Sequence, residues 1–372
     1  MKKIRCLHCG FDCRKYGKTA AGKQRWQCKV CKLVFSNGTS NTVYRFKCFL
    51  QWLLHAEVQR EMPGEGRTFR RNTVEFWEIW PMPPKIDTPS DVVYVDGIYL
   101  SRKVCILICC DAEHILGWYI CRAENSRAWI ALLSRIATPK VVVSDGGTGF
   151  RKALKKAWPK AKLQRCTFHA FCQVKRYTTT KPKTEAGRSL YYIAKALLHI
   201  KSENQALEWI KSLSTWRLQY SEFLAEKTIY PDGSVRNTHE RLIRAEKSLI
   251  NLIKSHSLFT YLSKDFGFKC PAMNNLIEGK VNTALRGLLR NHRGLSIERR
   301  IKAVCWWCYM HLPRPLSYTE ILKTMPTEKS ISKIYNTMNT RSRLETIIPT
   351  WGDAIVWSDL HKSDPYPNFD WD

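Results

Sequence analysis

The sequence predicts an α/β fold: a mixed sheet followed by a long all-helical stretch, with a small metal-stapled ribbon and a helix-turn-helix-like unit ahead of it. Three observations lead there. Residues 91–166 read as three apolar strand runs followed by helix and strand in alternation. Between His169 and Glu278, about a hundred residues repeat apolar side chains at helical spacing. Near the amino end stand two Cys-x-x-Cys pairs, Cys6/Cys9 and Cys28/Cys31, with 18 residues between them.

The cysteine pairs come first. Two tight turns at this spacing converge four thiolates on one tetrahedral ion, so residues 1–40 are expected to form a zinc ribbon with Cys6, Cys9, Cys28 and Cys31 as ligands and Zn2+ as a structural cofactor. Residues 25–28 and 34–35 read as its short strands. The core of such a unit is tiny, and the metal supplies most of its folding energy. His8 and Cys13 are bystanders to the paired geometry. Residues 1–47 carry twelve Lys and Arg, Arg25 among them, against the single acid Asp12. That balance suits phosphate contact better than protein docking; the plainer reading is a structural module.

Residues 41–85 follow. Phe46, Phe49, Leu50, Leu53 and Leu54 recur at helical spacing, Pro63 and Gly64 break the chain, and a second helix is expected over residues 68–80. Phe69, Thr73, Phe76, Trp77 and Trp80 form its buried stripe. Arg67, Arg70 and Arg71 sit at its start, where a recognition helix meets DNA. The alternative is a plain helical hairpin. Pro81, Pro83, Pro84 and Pro89 then stiffen the chain and mark a boundary.

The core is expected over residues 86–176. Residues 91–96, 103–111 and 115–122 read as an antiparallel meander, 126–136 as a helix, 141–144 as a buried strand, 148–158 as a helix and 161–166 as a strand. This is a mixed sheet of the ribonuclease H-like kind. In it Asp96 ends the first strand and Asp145 the neighbouring fourth, so carboxylates 49 residues apart lie side by side. Gly97, Gly146 and Gly147 follow them and allow close approach of a phosphate or metal. Asp-Gly is also a common turn signal, and only the joint placement favours a site. Asp111, Glu113 and Glu124 are rivals, Asp111 foremost; they read as turn or helix-start residues.

Residues 177–270 carry the helical patterning: Leu197, Leu198 and Ile200; Leu207, Ile210 and Leu213; Leu242, Ala245, Leu249, Leu252 and Ile253. By itself this stretch reads as a separate helical domain, suited to dimerisation. In residues 271–312, Ile277, Val281, Ala284 and Leu288 give a helix with a core face, and Asn275, Glu278 and Asn282 an adjacent polar face. Glu278 reaches the two aspartates from its start; a glutamate favoured there by the helix dipole is the plainer reading. Arg286, Arg290, His292, Arg293, Arg299 and Arg300 follow as a basic run, and Cys305 and Cys308 read as core. The tail, 313–372, turns acidic and aromatic from Trp351 and takes no function.

The whole chain has 372 residues and a net charge of +29, from 61 Lys and Arg against 32 Asp and Glu. That excess asks for a polyanion, nucleic acid ahead of a membrane surface because the charge is spread along the chain. Fifteen cysteines behind a Lys2-Lys3 start, with no apolar leader or spanning run, predict a soluble intracellular protein with reduced thiols.

The order Asp96, Asp145, Cys166-x-x-His169, Asn274-Asn275-x-x-Glu278-Gly279 resembles the Mutator-type DDE transposases of bacterial insertion sequences, over roughly residues 90–310. The Cys-x-x-His element is the most specific part. The resemblance implies that Asp96, Asp145 and Glu278 are catalytic metal ligands for two Mg2+ ions, Mn2+ being a substitute. Cys166 and His169 then belong to a motif beside the active site, as a buttress or a substrate contact rather than a zinc pair, for which two further ligands are missing. The helical segment is then an insertion ahead of the last helix.

The function expected is a DNA transposase that binds the ends of an insertion sequence, cleaves strands and transfers them to target DNA. Double-stranded DNA is its partner, with Arg25, Arg67, Arg70, Arg71, Arg286, Arg290 and Arg293 as contacts. A homodimer or higher oligomer on DNA, in the bacterial cytoplasm with the nucleoid, goes with it. Two alternatives stay open: a DNA-binding regulator derived from a transposase, and a ribonuclease H-like nuclease that cuts without joining.

Overall fold

A computed structural model describes residues 4–6, 11–20, 22–36, 42–101 and 103–334. In chain order the elements are β1 (Cys13–Lys18), β2 (Gln24–Cys28), β3 (Val34–Ser36), α1 (Thr42–Leu54), α2 (Glu65–Thr73), β4 (Val92–Leu100), β5 (Val104–Cys110) and β6 (Ile115–Cys121). Then come α3 (Ser126–Leu133), β7 (Val141–Ser144), α4 (Thr148–Ala157), β8 (Lys162–Arg165), α5 (Thr167–Thr178), α6 (Glu185–Ala196), α7 (Glu203–Gln219) and α8 (Ser221–Ala225). The last are β9 (Lys227–Ile229), β10 (Val235–Asn237), α9 (Glu240–Lys254), α10 (Thr283–Asn291), α11 (Ile297–Met310) and α12 (Tyr318–Thr324). They form two units. One takes in the described residues of Met1–Pro84, Tyr99–Ile106 and Thr283–Asp372, the other Lys85–Ile98 and Leu107–Asn282.

In the first unit β1, β2 and β3 make a three-stranded antiparallel sheet. The expected aromatic stripes meet: Phe46 and Phe49 of α1 lie 5.1 and 5.0 Å, ring to ring, from Phe76 and Trp77. Trp306 of α11 closes on Phe46 at 5.4 Å. Phe69, Thr73, Phe76, Trp77 and Trp80 are all buried, as their spacing predicts. The second helix itself is shorter than expected. It runs from Glu65 to Thr73 and tightens into a 3-10 turn over Val74–Glu78. The Thr73 hydroxyl donates to the Phe69 carbonyl at 2.8 Å, and β-branched Thr73 and Val74 disfavour a further α turn. Lys302, wholly buried, is held by Glu298, Glu328 and the Trp77 carbonyl. Cys305 and Cys308 are buried, in line with a core role.

The second unit is built on a five-stranded mixed sheet in the order β6-β5-β4-β7-β8. Connections of three and four residues join β4 to β5 and β5 to β6, lengths that suit antiparallel neighbours. Pairings β4–β7 and β7–β8 are parallel, with α3 and α4 as crossovers that meet through Trp129 and Phe150 at 5.1 Å. Every residue of β5 and of β7 is buried, as continuous apolar runs require.

Helices α5 to α9 share one apolar core, with Phe171, Leu190, Trp209, Leu213, Trp216, Leu242 and Leu249 inside it. The insertion is not all-helical. Strands β9 and β10 pair antiparallel in it, Ile229 opposite Val235, around a Pro231-Asp232-Gly233 turn in which Gly233 takes φ 78°. That tripeptide is a turn signal, and Thr228, Ile229 and Val235 are β-formers; the helical periodicity on both sides masked them. Leu207 is exposed, because α7 turns Ala206, Trp209, Leu213 and Trp216 inward instead.

Candidate metal and phosphoryl-transfer site

The candidate site lies within the second unit. β4 and β7 run parallel with Tyr94 level with Val143, so two residues further along the same register Asp96 comes level with Asp145. Neighbouring strands are about 4.8 Å apart, which sets the two residues side by side. Asp145 follows the last residue of β7, as expected. Asp96 does not end its strand: β4 continues through Gly97 to Leu100. The strand runs on because Ile98 and Leu100 are buried apolar residues at alternate positions.

Gly146 has a firm structural reason. Its φ is +87°, and a Cβ there would come within 2.7 Å of the Arg165 side chain. Burial pulls the Arg165 guanidinium below its ordinary value, with Asp145 nearby opposing the shift. Asp111 makes the hairpin turn its sequence suggests, its Oδ1 accepting from the amides of Glu113 and His114 at 2.9 and 2.7 Å.

The residues that bring Glu278 back to the sheet are backbone clamps. Arg165 N–H donates to the Ser257 carbonyl and Thr167 N–H to the Ala272 carbonyl, at 2.7 and 3.0 Å. The buried Gln164 amide donates to the Leu258 carbonyl at 3.1 Å. Asn274, fully buried, then ties two elements at once: its N–H donates to Cys166 Sγ at 3.2 Å and its side chain to the Val95 carbonyl at 3.3 Å. Glu278 follows one turn later.

Glu278 sits in a π-helical turn, Ile277–Asn282, that leads into α10. The wide turn holds an extra residue and resets the buried face. Ile277 and Val281 are buried as expected, but Leu285 takes the inward position predicted for Ala284, which is exposed. The same turn buries Asn282, whose amide donates to Asp96 Oδ2 at 2.6 Å. Asn275, predicted to share that polar face, is exposed.

Asp96 is thus a carboxylate with charged company. Burial raises it, the amide of Gly97 and the side chain of Asn282 lower it, and the charges of Asp145 and Glu278 raise it again, to about 6. Beside it, Cys166 caps α5 and His169 lies in the first turn. Burial alone would raise the Cys166 thiol; the His169 side chain and the Asn274 amide outweigh it and hold the thiol below its ordinary value. The imidazole is raised in turn, chiefly by Cys166 and further by Glu278 and Asp145. His169 Nδ1 stands 3.4 Å from Glu278 Oε1.

Cys6, Cys28 and Cys31 present sulfurs within 4.8 Å of one another, with 3.4 Å between Cys6 and Cys31. The amides of Val30 and Cys31 both donate to Cys28 Sγ at 3.4 Å. Such N–H···S support fits thiolate ligation of zinc. Cys9 lies outside the described residues, as do His8 and the tail from Trp351.

The arginines expected to touch DNA are exposed: Arg25 of β2, Arg67, Arg70 and Arg71 of α2, and Arg286, Arg290 and Arg293 in and after α10. Arg70 and Arg71 fall in the last turn of α2, not at its start, because the helix is short. Arg286, Arg290, Arg293 and Arg300 line an open cleft of about 710 Å3. Two members of the basic run serve the core instead. His292 is buried and bonds the Leu53 carbonyl at 2.8 Å, and Arg299 lies over the Trp77 ring.

The comparisons with known proteins give first a class. Residues 89–225, the segment bearing Asp96, Asp145, Cys166 and His169, match the family described as Transposase, Mutator family. Two relatives are transposases of particular insertion sequences. The transposase for insertion sequence element IS905 of Lactococcus lactis subsp. lactis (strain IL1403) is 22% identical over 222 residues, covering 50% of this chain and 56% of that protein. The transposase for insertion sequence element IS1201 of Lactobacillus helveticus is 25% identical over 150 residues, covering 38% of this chain and 40% of that protein. The chain thus spans about half the length of the curated relatives it matches.

Among the described residues no helix is long and apolar enough to cross a membrane.

Proposed function

We propose that this chain is a DDE transposase of an insertion sequence, with Asp96, Asp145 and Glu278 as its metal-binding carboxylates on a ribonuclease H-like core. One observation carries the reading: Asp96 and Asp145 stand level on neighbouring parallel strands, and the charges of Asp145 and Glu278, from segments far apart in sequence, both act on the half-buried carboxyl of Asp96. Carboxylates that repel one another in a half-buried place are held there at a cost, and a hard divalent cation removes it. The all-oxygen donor set fits Mg2+, with Mn2+ as a substitute. When bound, such ions supply activation of a water or 3' hydroxyl and stabilisation of the leaving oxygen.

The protein's own groups have separate tasks. Asp96 would hold a cation in its ionised form, while Asn282 and the Gly97 amide orient its two oxygens. Asn274 fixes the start of the segment that carries Glu278 against β4 and α5. Gly146 leaves room for Arg165 behind Asp145. The arginines of α2 and of the cleft along α10 would hold phosphates, which positions DNA without reading its sequence. The domain assignment is part of the same proposal: residues 1–40 a zinc ribbon, 41–85 a DNA-reading unit, and 86–176 with 271–312 the catalytic core around the insertion at 177–270.

The test is a strand-transfer assay on the element's own ends, supplied both uncut and with a pre-cut 3' hydroxyl. Asp145→Asn and Glu278→Gln should each abolish cleavage and joining while end binding persists. Cleavage by either variant sinks the assignment. Cutting without joining by the unaltered protein would make it a nuclease instead.

A further inference from the structure

Beside the all-oxygen set lies a second group of donors with different chemistry. Cys166 Sγ, a ring nitrogen of His169 and a carboxylate oxygen of Glu278 all fall within 4.8 Å of one another. Bonds of about 2.0–2.3 Å around a tetrahedral ion put neighbouring ligand atoms about 3.3–3.7 Å apart. His169 and Glu278 already stand at 3.4 Å, and shifts of about 1 Å would bring in the rest. Cys166 is the cap residue ahead of α5 and His169 lies in its first turn, while Glu278 comes from the π turn.

The donor types decide the ion. Sulfur and imidazole nitrogen favour zinc and its borderline-soft relatives over magnesium, which takes oxygen. The surroundings fit a metal thiolate: the Asn274 amide already donates to Cys166 Sγ at 3.2 Å, as outer-shell groups do for ligating sulfur. Thr167 Oγ1 and Asn274 Oδ1, in the same two segments, are buried polar atoms with no hydrogen-bond partner.

We propose that Cys166, His169 and Glu278 form a binding site for one borderline-soft divalent cation of the zinc type, with its fourth position open to water. The site needs only these three side chains. Its consequence for activity rests on the transposase reading: an ion here draws Glu278 away from Asp96 and Asp145, so zinc acts as an inhibitor of magnesium-dependent cleavage.

Cadmium is the probe, added alone to the full chain without DNA and followed by 113Cd NMR and by the count of bound ions. The unaltered chain should bind one ion at the amino-terminal cysteines and a second, with a resonance of lower thiolate character, at this site. That second resonance should vanish in Cys166→Ser and in His169→Gln, with affinity for the second ion down at least about tenfold. It should survive Cys6→Ser, which removes the first. Absence of the second ion from the unaltered chain overturns the proposal, as does its persistence in His169→Gln, a half-exposed position whose replacement spares the core should Cys166→Ser fail to fold. Because no DNA or cleavage enters the measurement, its failure leaves the transposase reading standing.

Discussion

Replacing Asp96 with asparagine should make the magnesium-free protein more stable while removing its activity. The folded-state value of about 6 lies about two units above the ordinary carboxyl value of 3.8, and each unit is worth about 1.4 kcal/mol. The sign follows from which state holds the proton. Asp96 is more basic folded than unfolded, so its contribution is fully present below about pH 4 and is lost as pH rises through about 6. At pH 8 the ionised group therefore costs the folded state about 3 kcal/mol.

Asparagine has no charge to lose and keeps the geometry. Its carbonyl accepts the Gly97 amide, and its amide donates to Asn282 once that side chain is turned over, using an Oδ1 that now has no partner. For a unit of about 190 residues, about 3 kcal/mol moves a melting midpoint by roughly 6–12 °C. The assay is thermal unfolding of both proteins from pH 4 to 8, with zinc limited to the one ion of the amino-terminal cysteines and magnesium absent. The variant should gain at pH 8, the gap closing toward pH 4. Added magnesium should stabilise the unaltered protein more than the variant. A gap that stays flat across the range, or a variant less stable at pH 8, refutes the reasoning.

Gly146→Ala should cost about 1–3 kcal/mol in urea unfolding, because it combines a left-handed backbone with a Cβ 2.7 Å from Arg165. Arg286→Gln with Arg290→Gln should weaken binding to any duplex alike and lower the salt slope of log affinity by up to about two; an unchanged slope would remove the cleft from the DNA path. Stripping zinc with a chelator should abolish amide-exchange protection in residues 11–36 and restore it on zinc return, whereas protection that survives would make the ribbon independent of metal. Lys302→Met should destabilise the first unit by about 3–5 kcal/mol, since it removes the buried cation that pairs with half-buried Glu298 and buried Glu328.

Most strands of the sheet were legible because each is a short apolar run with turn residues at its ends: 141–144 was predicted to the residue, and 103–111 and 115–122 to within one or two. That the strands bearing Asp96 and leading to Asp145 are neighbours was legible for the same reason, though not that β4 runs on past Asp96. What periodicity hid was any element whose local signal is weaker than its flanks. The β9–β10 hairpin sits between long helices, and the π turn at Ile277–Asn282 looks like ordinary α-helix in sequence because its extra residue is spelled by no particular amino acid.

By itself the sequence determined the residue types and their order: thiolates in pairs, two aspartates on neighbouring strands, a Cys-x-x-His at a helix start and a distant glutamate. Local propensity and hydrophobic spacing suffice for that much. Only the tertiary structure decided what the glutamate touches. Glu278 meets His169 because hydrogen bonds from the Gln164 side chain and from the backbones of Arg165 and Thr167, with the two hydrogen bonds of Asn274, fold residues 257–274 back along the sheet. Those are long-range hydrogen bonds between buried groups, and no window of neighbouring residues contains both partners. The tertiary fold also decided that Cys166, His169 and Glu278 lie close enough to share an ion, which turned a motif of unassigned role into a site that can be measured.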